Sequence, residues 1–123
     1  MSRITAVRLT VHGSAAVPET LVGPRPLADA FDGEAYAPIP HRRGYEGPLS
    51  AYVYERASLP EGGGLEPNPR AYAILAALGF DVRHVATLHG DVMVCGPLGK
   101  SLHGLLLQKV LGAAAAAPPV LNK

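Results

Sequence analysis

The sequence predicts a single small α+β domain, because two segments alternate apolar and polar residues, an Asn-Pro pair opens an apolar stripe at helical spacing, and a Gly-Asp turn precedes a β-prone run. A chain of 123 residues makes one ordinary domain with a modest core and leaves little room for separate catalytic and substrate domains. The expected architecture is a small mixed or antiparallel sheet of about four to five strands, with one main helix over about 69–78 packed on it and a C-terminal helix over about 101–111. Residues 1–97 are expected to form the α+β core, and 98–123 the C-terminal helix and a flexible tail.

Ile4 to His12 alternates, with Thr5, Val7, Leu9 and Val11 on one side and Ala6, Arg8, Thr10 and His12 on the other. That is the pattern of a half-buried strand. Gly13, Ser14, Pro18, Gly23, Pro24 and Pro26 crowd the next stretch, which reads as a loop. Leu27, Ala28 and Phe31 then recur at helical spacing until Gly33 stops them, predicting one or two helical turns. Glu34 to Ile39 is a short extended segment, but Pro38 and Pro40 lack the N–H a ladder needs, so it is expected to lie at a sheet edge or to end where it begins. His41 to Pro48 continues it as a polar loop.

Leu49 to Tyr54 alternates again, with Leu49, Ala51 and Val53 facing one way and Ser50, Tyr52 and Tyr54 the other, and β-formers dominate it. Leu59 to Leu65 is a turn, since Gly62, Gly63 and Gly64 would lose too much entropy inside a regular element. At Asn68-Pro69, Asn can cap free N–H groups and Pro at the first helical position has no N–H to leave unsatisfied. Ala71, Ile74, Leu75 and Leu78 form the apolar stripe of that helix, and Gly79 suits a left-handed C-terminal cap. Val85 to Leu88 and Val92 to Cys95 are β-prone runs on either side of His89-Gly90-Asp91, predicting a hairpin or a bulged strand. Ser101 is placed to cap the last helix, with Leu102, Leu105, Leu106 and Lys109 or Val110 on one side. The alanine run and Pro118-Pro119 beyond it read as a fraying tail.

Four groups of residues recur in one order: Leu27 through Asp32-Gly33-Glu34-Ala35-Tyr36; Tyr52-Val53-Tyr54-Glu55 with Gly62 to Gly64; Pro67-Asn68-Pro69-Arg70-Ala71; and His89-Gly90-Asp91-Val92-Met93-Val94-Cys95-Gly96. In that order they resemble an uncharacterised domain family of bacteriophages, plasmids and actinobacterial genomes. The similarity spans roughly residues 2–97 and covers neither the His41 to Pro48 loop nor the chain after Pro97. The resemblance implies a mobile-element setting and brings no catalytic residues with it.

A formal charge of +1 supplies no whole-protein field toward DNA or an acidic membrane. Cys95, the only cysteine, cannot close an intramolecular disulfide, and the first residues lack the long apolar run of a signal peptide, so a cytoplasmic setting is expected, the host cell's if the protein is phage-encoded. The longest apolar stretch, Leu105 to Leu107 with the alanines, is broken by Gln108, Lys109 and Gly112 and falls short of the ~20 residues that span a bilayer. No membrane partner is expected. His12, His41, His84, His89 and His103 form no His-x-x-x-His pair and have no second cysteine beside them, so no metal or other cofactor is expected. Ser50, His89 and Asp91 could be assembled into a nucleophilic set, but no glycine-flanked serine elbow points to it. Cys95, in an apolar strand, is expected to be a small buried hydrophobe, so no catalytic residue is assigned.

One constellation carries binding chemistry. Gly63 and Gly64 lead into the helix start at Asn68 and Arg70, where free N–H groups, the helix dipole and a guanidinium favour an anion. Arg42, Arg43 and Tyr45 add cations and an aromatic face, which suit a phosphate and a nucleobase. Tyr52 and Tyr54 share a sheet face expected to be covered by the C-terminal helix or left open as a partner surface. The functional expectation is a non-catalytic accessory protein of a phage or mobile element, a homo-oligomer that binds a host protein or a small anionic, nucleotide-like ligand in a counter-defence role. The alternatives are a nucleic-acid-associated module using Arg42, Arg43 and Arg70, and a virion structural component. Nucleic acid is disfavoured by the charge balance and by the lack of a base-reading motif.

Overall fold

The computed structural model describes residues 2–11, 16–44, 47–82 and 88–117. Among these described residues, five strands form one antiparallel sheet: β1 (Ser2–Leu9), β2 (Val17–Gly23), β3 (Tyr36–Pro38), β4 (Ser50–Tyr54) and β5 (Val92–Cys95). Across the sheet they lie in the order β2-β1-β5-β4-β3. The pairs β1–β2 and β3–β4 are thus joined by the last strand in sequence, with Val94 opposite Val7 on one side and Ala51 on the other. All four residues of β5 are buried, as a short continuous apolar run in the middle of a doubly covered sheet must be.

Helices α2 (Pro69–Ala77) and α3 (Gly104–Ala116) cover one face, where Val7, Leu9, Ala51, Val92 and Val94 meet Ile74, Leu75, Val110 and Ala114. The short α1 (Pro26–Ala30) covers the other, where Ala6, Met93, Cys95 and Tyr54 pack with Phe31. The period-two alternation decides this sorting, since neighbouring residues of a strand point to opposite faces. Leu49, Ala51 and Val53 go to the α2 side, and Tyr52 and Tyr54 to the α1 side. The tyrosine face is therefore closed by α1 and Phe31, not by the C-terminal helix, which joins α2 on the opposite face.

Helix α2 begins and ends as its sequence predicts. Asn68 caps it by accepting the Ala71 N–H at 3.2 Å, and Gly79, at φ 91°, closes it with paired bonds from Gly79 N to the Ala76 carbonyl and from Phe80 N to the Leu75 carbonyl. β3 lies at the sheet edge, where Pro38 is tolerated.

Three expectations are corrected. The stretch read as a loop contains β2, which pairs with β1 from Ser2↔Gly23 to Arg8↔Val17; as an edge strand it accommodates Pro18. The last helix starts at Gly104 and not at Ser101, whose hydroxyl accepts the Thr5 N–H at 3.1 Å while Leu102 N donates to the Thr5 carbonyl at 2.7 Å. It then runs through the alanines to Ala116, because alanine has the highest helix propensity and Ala114 is buried. Nor does the packing divide at residue 97, for Leu102, Val110 and Ala114 belong to the same core as α2. His12, His84, the 85–87 part of the run Val85 to Leu88, and Pro118-Pro119 lie outside the described residues.

Candidate functional site

The residues expected to cradle an anion at the start of α2 are used inside the fold. Asn68 is 0% exposed; besides capping α2, its amide nitrogen donates to the Leu9 carbonyl at 3.0 Å and to the Gly90 carbonyl at 2.9 Å. Its side chain thereby staples α2 to the end of β1 and to the turn before β5. Arg70, 9% exposed, donates from Nη2 to the Ala114 carbonyl of α3 at 2.9 Å. The glycine turn is shaped by close approach: a Cβ on Gly62 would strike the His89 ring, and one on Gly63 the Arg56 carbonyl. Arg56 Nη1 in turn donates to the Gly63 carbonyl at 2.9 Å, and Gly64 is exposed beside it. Arg42 is held elsewhere, with its N–H donating to the Gly79 carbonyl beyond the C-terminal end of α2. Nine helical residues, roughly 13 Å at 1.5 Å each, separate that point from Asn68, so the two halves of the expected constellation are not brought together. Arg43 is exposed in the turn next to Arg42, and Tyr45 lies outside the described residues.

Nor do the nucleophilic candidates converge. Ser50 pairs with Cys95 in the sheet register, four positions along β5 from Asp91 and so about 13 Å away. Its hydroxyl donates to the Gly96 carbonyl at 2.6 Å and accepts the Gly99 N–H at 3.0 Å. Asp91 accepts the Val11 N–H at 3.2 Å and lies 3.7 Å from Arg8 Nη1. A cavity of about 290 Å³ borders His41 and Ser50, but His41 Nε2 meets the Leu49 carbonyl at 2.7 Å and its ring stacks on Phe80. Among the described residues, no group of three His, Cys, Asp or Glu side chains could hold a metal ion, and no helix is long and apolar enough to cross a membrane.

Cys95 is fully buried, and desolvation pushes its thiol from 9.0 up to about 12. The thiolate is the nucleophile, so an aromatic disulfide reagent at pH 8 should label the native protein at least 100-fold more slowly than the urea-unfolded chain. Equal rates would overturn the buried assignment. The linked sign follows: a raised folded pKa gives stability that is complete below 9.0 and is lost as the pH climbs toward 12.

A groove of about 610 Å³ opens at the start of β1, between α1, β3 and the 97–101 segment. Its size falls in the ~300–1,000 Å³ range of small-molecule sites. The Arg3 backbone borders it on β1, where alternation turns the side chain to the opposite face from Ile4, while Arg25, the residue before α1, and Lys100, after the Pro97–Gly99 turn, line it from two other elements. Ile4, Leu27 and Tyr36 supply an apolar wall, and no acidic side chain is among the described residues that line it. Among the described residues, the side chains of Arg25 and Lys100 make no ion pair or hydrogen bond. Arg8 and Arg56, by contrast, pair with Glu19 at 2.7 Å and with Glu34 at 2.9 Å. Two unpaired cations beside one concavity raise the positive potential there, which favours an anion.

The groove was missed in the sequence because its cations sit singly, far apart and without a motif. The closest local signal is Gly99, where a Cβ would approach Leu27 and the Tyr52 hydroxyl at 3.0 and 3.1 Å, marking the turn that brings Lys100 to the rim. The fold and groove define a small antiparallel α+β protein with a basic cleft. No family model matches the chain, and no curated protein or solved structure is similar to it.

Proposed function

We propose that this is a non-catalytic binding protein that takes a small anionic ligand in the groove of Arg25 and Lys100. The observation that carries the reading is the pair of unpaired cations beside a ligand-sized cleft whose described lining holds no acid. Such a site attracts a phosphate or carboxylate, and the partly apolar wall keeps part of the ligand out of water. The motif resemblance supports a phage or mobile-element setting, in which an accessory protein working in the host cytoplasm sequesters an anionic host signal. Self-association belongs to the same reading, supported by Val17 and Val22, which are exposed on the edge strand β2.

Native mass spectrometry of the purified protein tests both parts, followed by titration calorimetry with inorganic pyrophosphate at two salt concentrations. Binding is expected, weaker at high salt, and reduced about 10- to 100-fold in the Arg25→Ala/Lys100→Ala double variant. A bare protein that binds pyrophosphate no better than the double variant does would overturn the anion site. A strictly monomeric spectrum would overturn self-association.

A further inference from the structure

We infer that the groove selects a phosphate carried on a planar ring, of the mononucleotide class, with the ring against Tyr36 and the phosphate between Arg25 and Lys100. The inference rests on the anion reading above and adds the chemistry of the ligand's other half. Tyr36 lines the groove and is 36% exposed, while its ring is held from within. Phe31 stacks against it at 5.1 Å and 13°, and Tyr52 meets it at 5.8 Å and 83°. A ring clamped in this way loses little freedom when a second ring packs on its open part, which makes it a stacking platform. Leu27 and Ile4 extend the apolar surface beside it, and the cations stand on separate elements around the cleft.

The lining also says how the ring is recognised. It contains no Asn, Gln, Asp or Glu, and of its two serines the Ser101 hydroxyl accepts the Thr5 N–H. With Arg25 and Lys100, the remaining base-edge readers, on the phosphate, recognition of the ring falls to its face and tolerates a change of base.

Titration calorimetry with AMP and with ribose 5-phosphate separates the two halves, since both carry the phosphate and only one the ring. AMP is expected to bind roughly tenfold or more tightly, the increment of one base–aromatic stack. Tyr36→Leu keeps an apolar side chain without a ring; it should bring AMP down to the affinity of ribose 5-phosphate and leave ribose 5-phosphate unchanged, with circular dichroism confirming the fold. GMP and CMP should bind the parent protein within a few-fold of AMP. Equal affinity for AMP and ribose 5-phosphate in the parent protein would overturn the ring inference and leave the anion site standing. Failure of both to bind, together with pyrophosphate, would overturn both.

Discussion

Asn68→Ala is expected to destabilise the protein by about 3–7 kcal/mol, read as a fall in the urea midpoint. The cap of α2 accounts for about 1 kcal/mol of this. The remainder comes from the Leu9 and Gly90 carbonyls, which lose their donor in a site with no solvent access, at about 1–3 kcal/mol each. Set against the ~5–15 kcal/mol total of an ordinary domain, that leaves a marginal protein. Asn68→Ser retains a capping oxygen but neither amide donation, so it should recover only about 1 kcal/mol. A midpoint for Asn68→Ala within about 0.5 kcal/mol of the parent would show that the buried amide does not hold α2 to β1.

Phe31→Ala should cost a similar amount, about 3–5 kcal/mol, because the ring is fully buried and its removal leaves a cavity under α1. Phe31 also meets Tyr54 edge-on at 4.9 Å and 87°, so the substitution loosens both tyrosines. Phe31→Leu keeps most of the burial and should cost less than about 1.5 kcal/mol. Its value is that it separates packing from platform: with the fold retained, AMP affinity should fall while ribose 5-phosphate affinity does not. A Phe31→Ala variant as stable as the parent would mean that α1 is held by something other than this ring. The Tyr54 hydroxyl beside it is pushed up first by burial and then by Asp32, which accepts a hydrogen bond from it at 3.3 Å. Like Cys95, it adds stability that is lost only at strongly alkaline pH.

The parts of the fold legible in the sequence are those whose cause lies within a few residues. The alternation at Ile4 to Leu9 and at Leu49 to Tyr54 marks strands with two differently covered faces, and it sorts Ala51 and Tyr54 onto the correct ones. Asn68-Pro69 and Gly79 bracket α2 because capping is local chemistry. β2 was hidden because Pro18 and Gly23 are loop residues by propensity, and only the pairing partner β1 makes Val17 to Gly23 a strand. The reach of α3 was hidden for a related reason: the alanine run has no periodic stripe, and its helix is completed by packing Ala114 into the core and by the Arg70 bond to its carbonyl.

The candidate site divides the same way. The sequence by itself determined the class of the fold, the capped helix and the alternating strands. Only the tertiary structure decided that Asn68 and Arg70 are committed to the interior and that Arg42 lies beyond the other end of α2 from them. It alone also brings Arg25 and Lys100 to the groove that Tyr36 lines. The physical reason is that helix caps and strand faces are set by neighbours in the chain, whereas a cleft is set by strand order, and here the central strand β5 comes last in sequence and draws the chain from Gly96 to Leu102 back against β1.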